Sequence, residues 1–174
     1  MNIQKRCFIV GCSRSGTTLL QRILAGHSEI HTFPETGVFL KAWGMRRSLP
    51  FTGIGLTSGR EKKVLRKLYA NEQGAECRYG SQGFNGLLNH QIAHAITSLD
   101  ALAAKENKYI WVEKTPRHFL HAKRISKHVP EAFVFHTLRD GIDVVASIID
   151  RSKKFPRQFA RQDIQYAIRL WNKA

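Results

Sequence analysis

Apolar residues arrive along this chain in two rhythms. Short unbroken runs, such as Cys7-Phe8-Ile9-Val10, have the form of strands buried on both faces of a parallel sheet. They predict strands over 6–11, 30–33 (closed by Pro34), 109–112 and 132–138. Between them the spacing changes to that of helices. A helix is predicted from Thr17, with Leu19, Leu20, Ile23 and Leu24 on one stripe and Gly26 as its end. Others follow over 60–70, 87–106, 116–127 and 141–151. In the last of these, Ile142, Val145, Ala146 and Ile149 recur at i, i+3, i+4 and i+7 and form the expected apolar face. Residues 48–59, rich in Gly, Ser and Thr, read as a loop.

Alternating strands and helices predict an α/β fold, a three-layer α/β/α sandwich around a central parallel sheet. Residues 1–174 read as a single domain, with a mainly helical insertion over about 41–106. Ligands of such sheets sit at the carboxyl ends of the strands. Three chemically distinctive segments fall there: Gly11–Thr18, Glu113-Lys114 and Arg139-Asp140.

Charge narrows the partners. The chain carries 28 Lys and Arg against 13 Asp and Glu, a net of +15, which predicts anionic ligands without choosing among them. Three cysteines, Cys7, Cys12 and Cys77, are too few and too poorly placed for a disulfide framework. No apolar run reaches the length of a membrane span, and Met1 leads straight into the first strand without room for a signal peptide. A soluble cytoplasmic protein is the expectation.

The first strand runs into Gly11-Cys12-Ser13-Arg14-Ser15-Gly16-Thr17-Thr18. This is the frame of a phosphate-binding loop, G-x-x-x-x-G-K-[ST], with Thr17 where the lysine belongs. Its glycines let the backbone wrap an anion, and the amides from Ser15 to Thr18 point at it from a helix N-terminus. The lysine of the motif serves β- and γ-phosphates. Its loss suggests a nucleotide with a shorter or different 5′ anion.

The segment G-x-x-R-S-G-T-T-L-L resembles the 5′-phosphosulfate loop of sulfotransferases that use 3′-phosphoadenosine 5′-phosphosulfate. A second block, Glu113-Lys114-Thr115-Pro116 and then Leu138-Arg139-Asp140-Gly141 with Ser147, is similar to that family's 3′-phosphate region. The likeness covers 6–40 and 108–152, is poor between them, and is closest in motif to the protein-tyrosine and carbohydrate branch. It implies a P-loop NTPase-like fold and in-line sulfuryl transfer to a hydroxyl or amine acceptor, with no metal. It also implies donor contacts from Ser13, Arg14, Ser15, Gly16, Thr17, Thr18, Arg139 and Ser147. Arg14 and Lys114 would stabilise charge on the transferring group, and Glu35, at the family's offset from the loop, would be the general base. Family domains continue further than this chain, which is expected to lack the C-terminal part.

Other readings compete. Glu35 also suits a helix N-terminus, where the dipole favours a carboxylate, and Arg14, Lys114 and Arg139 suit an ordinary basic surface. A P-loop nucleotide kinase or NTPase would need a lysine at position 17 and an acidic strand end. A basic nucleic-acid-binding module would use Arg60–Lys67 and Arg151–Arg161, a less favoured alternative. His90 and His94 are spaced as in H-E-x-x-H, but Gln91 stands at the glutamate position, so no metal site is expected. His118, His121 and His128 read as part of a basic helix surface, and Trp43, Trp111 and Trp171 as packing residues. The acceptor and the oligomeric state are not specified by the sequence.

Overall fold

A computed structural model of the chain describes residues 2–43, 88–159 and 162–174. The readings at 48–59 and 60–70, and Cys77, lie outside the described residues. Four strands, β1 (Lys5–Gly11), β2 (Ile30–Phe33), β3 (Ile110–Lys114) and β4 (Phe133–Thr137), form one sheet in the order β2-β3-β1-β4. All pairings are parallel, with Phe8 opposite both Glu113 and Val134. Each strand falls within two residues of its expected place.

Helices cover both faces, giving the expected three-layer α/β/α sandwich. On one side, α1 (Thr17–Ala25) packs Leu20 and Leu24 against Cys7, Ile9 and Val112. The other side carries α2 (Val38–Trp43), α3 (Leu88–Lys105), a 3₁₀ turn (Pro116–His121) and α4 (Ala122–His128). Its core includes Phe8, Val10, Phe39, Ile92, Trp111 and Ile125. Arg6 in β1 meets Asp100 of α3 through two hydrogen bonds of 3.0 and 2.7 Å, and Trp111 donates to the same carboxylate at 2.7 Å. This links the helix to two strands. After β4 come α5 (Gly141–Lys154), a short α6 (Pro156–Phe159) and α7 (Ile164–Trp171). Among the described residues no helix is long and apolar enough to cross a membrane.

Three expectations about faces need correction. Leu19 and Ile23 of α1 are exposed, because the four apolar residues form two neighbouring i, i+4 pairs and the sheet takes only Leu20 and Leu24. In α5 the inward pair is Val144 and Ile148, packed with Cys12, Ala167 and Leu170. The expected face lies open: Ile142 is 82% exposed, and with Val145 and Ile149 it lines a groove shared with Ile164, Ile168 and Trp171 of α7. The helix expected over 116–127 begins as a 3₁₀ turn. Three residues per turn bring His118 and His121 to one side, and both are buried rather than on a basic surface.

Candidate active site

Strand ends deliver the site. The loop between β1 and α1 turns tightly, with the Ser15 amide donating to the Cys12 carbonyl at 3.1 Å. Gly11 needs to be glycine: its φ is +149°, and a Cβ there would lie 2.5 Å from Thr137 Oγ1 and 2.6 Å from the Thr137 carbonyl oxygen. Gly16 at φ +89° turns the chain into α1. Arg14 takes a left-handed φ of 77°, an uncommon state for a side-chain-bearing residue and one that recurs at ligand-binding loops.

Arg14 is held from two sides. Its Nε donates to Ser147 Oγ of α5 at 2.9 Å, and its carbonyl accepts from Arg139 Nη1 at 3.3 Å. Arg139, just past β4, also pairs with Asp143 at 3.1 Å. The three residues expected at opposite ends of a bisphosphate nucleotide therefore form one connected group. Beside them is a polar cavity of about 250 Å³, lined by Ser13, Arg14, Gly16, Thr17, Thr18, Glu35, Arg139 and Arg151. Ser15 lines a second cavity of about 440 Å³, with Cys12, Thr137, Arg139 and Trp171. Its buried hydroxyl has no protein partner among the described residues. Burial pushes the Cys12 thiol up, so this loop cysteine is a neutral packing group.

Glu35 and Lys114 meet. Glu35 lies in the turn after β2, Lys114 closes β3, and Lys114 Nζ donates to Glu35 Oε1 at 2.7 Å. The lysine side chain is 8% exposed and the glutamate 58%, so the carboxylate faces outward from a cation held in the sheet. Such a pair can combine a proton acceptor and a fixed positive charge at the mouth of a phosphate-sized cavity.

Two parts of the site were given no role in it from the sequence. Arg151 lines the polar cavity and lies over the Phe159 ring at 4.2 Å. Its place four residues after Ser147 was the available signal, since i and i+4 share a helix face. Glu113 and His118 are wholly buried beneath the Glu35–Lys114 pair, 3.1 Å apart. Their signal was a carboxylate continuing the apolar run of β3, which must find partners inside. Among the described residues, no group of three or more His, Cys, Asp or Glu side chains is placed to hold a metal ion.

Comparison with known proteins adds the family. A solved structure titled as the sulfotransferase domain from the curacin biosynthetic pathway shares the fold, with a TM-score of 0.55 at 18% identity. The alignment covers 99% of this chain, which spans 60% of the length of that domain. A DNA replication initiation factor aligns over 87% of this chain and 46% of its own at 14% identity, with a TM-score of 0.32, too low to indicate a shared fold. No curated protein matches the chain in sequence. The model of the sulfotransferase family matches residues 7–174, from β1 through the Gly11–Thr18 loop to the last helix, and the chain belongs to that family.

Proposed function

We propose that this chain binds 3′-phosphoadenosine 5′-phosphosulfate at the Gly11–Thr18 loop and directs its sulfuryl group to a hydroxyl or amine acceptor. The donor supplies a sulfur centre whose bond to the 5′-phosphate breaks with the electron pair leaving on the phosphate oxygen. The observation that carries the reading is the convergence of four strand ends: the loop after β1, Glu35 after β2, Lys114 in β3 and Arg139 after β4. The amides of Ser15 to Thr18 and the Arg14 guanidinium would hold the phosphosulfate, and Arg139 with Ser147 the 3′-phosphate. Thr17 fits this ligand because there is no γ-phosphate for a lysine to serve.

Glu35 would take the acceptor proton as the new bond to sulfur forms. Lys114, already 2.7 Å from that carboxylate, would stabilise the negative charge of the transferring group. Alignment and charge stabilisation supply most of the rate in transfers of this kind. The segment 41–106 is proposed to contribute to acceptor choice within one domain.

Calorimetric titration with adenosine 3′,5′-bisphosphate tests the reading. Wild type is expected to bind one equivalent, and Arg139→Ala to bind at least about tenfold more weakly, the scale of a lost charge-assisted contact. Wild type that takes up neither the bisphosphate nor the phosphosulfate overturns it.

A further inference from the structure

Glu113 projects from the face of the sheet that also carries Phe8, its neighbour across the β1–β3 pairing, and it is fully buried. A carboxylate in such a place must be matched by hydrogen bonds and charge. Its Oε1 accepts from the Thr36 amide at 3.0 Å, from the Thr36 hydroxyl at 2.8 Å and from the Thr115 hydroxyl. Its Oε2 lies 3.1 Å from His118 Nδ1. Edge-on aromatic packing against Phe39, at 5.6 Å between ring centroids, keeps the His118 ring in place.

The two hydroxyls pass the constraint onward. Thr115 Oγ1 accepts from the Gly37 amide at 3.0 Å, and Thr36 Oγ1 accepts from the Val38 amide at 3.3 Å. A hydroxyl has one proton, so with both lone-pair sides turned to amides the two protons point at Glu113. One oxygen atom thereby fixes the amides of Thr36, Gly37 and Val38 directly or through one hydroxyl. These are the three residues that follow Glu35. The same oxygen is bonded to the residue next to Lys114 on one side, Thr115, and belongs to the residue next to it on the other.

We infer that Glu113, acting with Thr36, Thr115 and His118, is a buried clamp that positions Glu35 against Lys114. Its consequence for rate rests on the sulfuryl-transfer reading; its geometry does not. None of the four touches the reacting atoms in this assignment, and each acts through the pair it holds. Without the clamp the Glu35 carboxylate, on a short exposed turn, loses its fixed distance to the cation, while the phosphate loop is left unchanged.

Removing Glu113 outright strands several donors and threatens the fold, so Thr115→Val is the sharper variant. Valine keeps the branched shape and suits the extended backbone before Pro116 (φ −124°, ψ 103°). It removes the hydroxyl that ties Gly37 to Glu113. Amide exchange followed by NMR, with no nucleotide present, is expected to show Gly37 exchanging at least about tenfold faster in Thr115→Val and near the wild-type rate in Thr115→Ser. Bisphosphate affinity should stay within about twofold of wild type in both variants. Single-turnover formation of bisphosphate from the phosphosulfate, with water as acceptor, should slow at least about tenfold in Thr115→Val and recover in Thr115→Ser. Unchanged Gly37 exchange overturns the clamp, as does an unchanged turnover rate. A loss of bisphosphate affinity that serine does not rescue also overturns it, by assigning Thr115 to general packing. Failure of wild type to bind the bisphosphate instead overturns the transfer reading, and the exchange result then still decides the clamp.

Discussion

His121 carries the clearest single-residue consequence for stability. Its ring is buried in the 3₁₀ turn, with Arg124 Nη1 2.9 Å from Nδ1. A guanidinium only donates, so Nδ1 is the acceptor and the proton of the neutral ring sits on Nε2, which is buried without a partner among the described residues. Burial first, and then the charges of Arg124, His118 and Arg117, hold the imidazole down from 6.5 to about 4. Between those values the unfolded ring binds a proton that the folded ring refuses. The stability associated with His121 is thus present above pH 6.5 and is lost as pH falls toward about 4. The loss is on the order of 3 kcal/mol. Glu113 behaves differently. Burial opposes its charged form, but His118, Thr115 and Thr36 outweigh that and hold its carboxyl below 4.5, so its contribution persists above 4.5 and goes only at lower pH. Of these two groups, His121 is therefore the one through which mild acid acts. Urea unfolding of His121→Asn, whose amide oxygen can still accept from Arg124, should show a flatter dependence of stability on pH between 6.5 and 4 than wild type. An unchanged slope assigns the acid sensitivity elsewhere.

At the scale of elements, α5 links fold to site, since it carries Ser147 and Arg151 and starts two residues after Arg139. Its first turn is capped by Asp140, whose Oδ1 accepts from the Ile142 amide at 2.8 Å and the Asp143 amide at 3.4 Å. Helix α7 has a comparable cap, Asp163 accepting from the Tyr166 amide at 2.7 Å, but its N-terminus carries no site residue. Replacing either aspartate by alanine should cost about 1 kcal/mol in chemical unfolding. Only Asp140→Ala should also weaken bisphosphate binding, by roughly threefold to tenfold, because it loosens the turn that aims Arg139 and Ser147. Equal effects of the two variants on affinity refute that coupling. The strands and the starts of α1 and α5 were legible because unbroken apolar runs and the glycine-framed loop are local signals. Which side of α1 or α5 faces inward was not: each has apolar residues in adjoining sectors, and only the packed neighbours choose between them. In the site, Arg14, Glu35, Lys114 and Arg139 were legible as types of residue at strand ends, and Ser147 as a hydroxyl on the helix that follows β4. Glu113 and His118 were not, because their pairing depends on how the 3₁₀ turn after β3 brings His118 back over the strand end.

The whole molecule combines strong charge with an open apolar edge. Among the described residues β4 is an edge strand, and Phe133, Val134 and Phe135 are each more than one-third exposed, although parallel strands are ordinarily covered on both faces. Exposure continues through Leu138, at 78%, to Ile142 and the groove between α5 and α7. A flat apolar edge with free backbone groups is a template for pairing with another chain. Opposing this is the net charge of +15, which makes copies repel one another. Salt decides between the two, since it screens the repulsion and leaves the apolar attraction in place. Sedimentation of the purified chain is therefore expected to show self-association that strengthens as salt rises from about 50 mM to about 500 mM. Phe135→Lys adds a charge at the middle of the exposed strand without touching the Gly11–Thr18 loop. It should hold the chain monomeric across that range while leaving bisphosphate affinity within about twofold. Association that weakens with salt would instead identify contacts between opposite charges, and association that survives Phe135→Lys would place the contact away from β4.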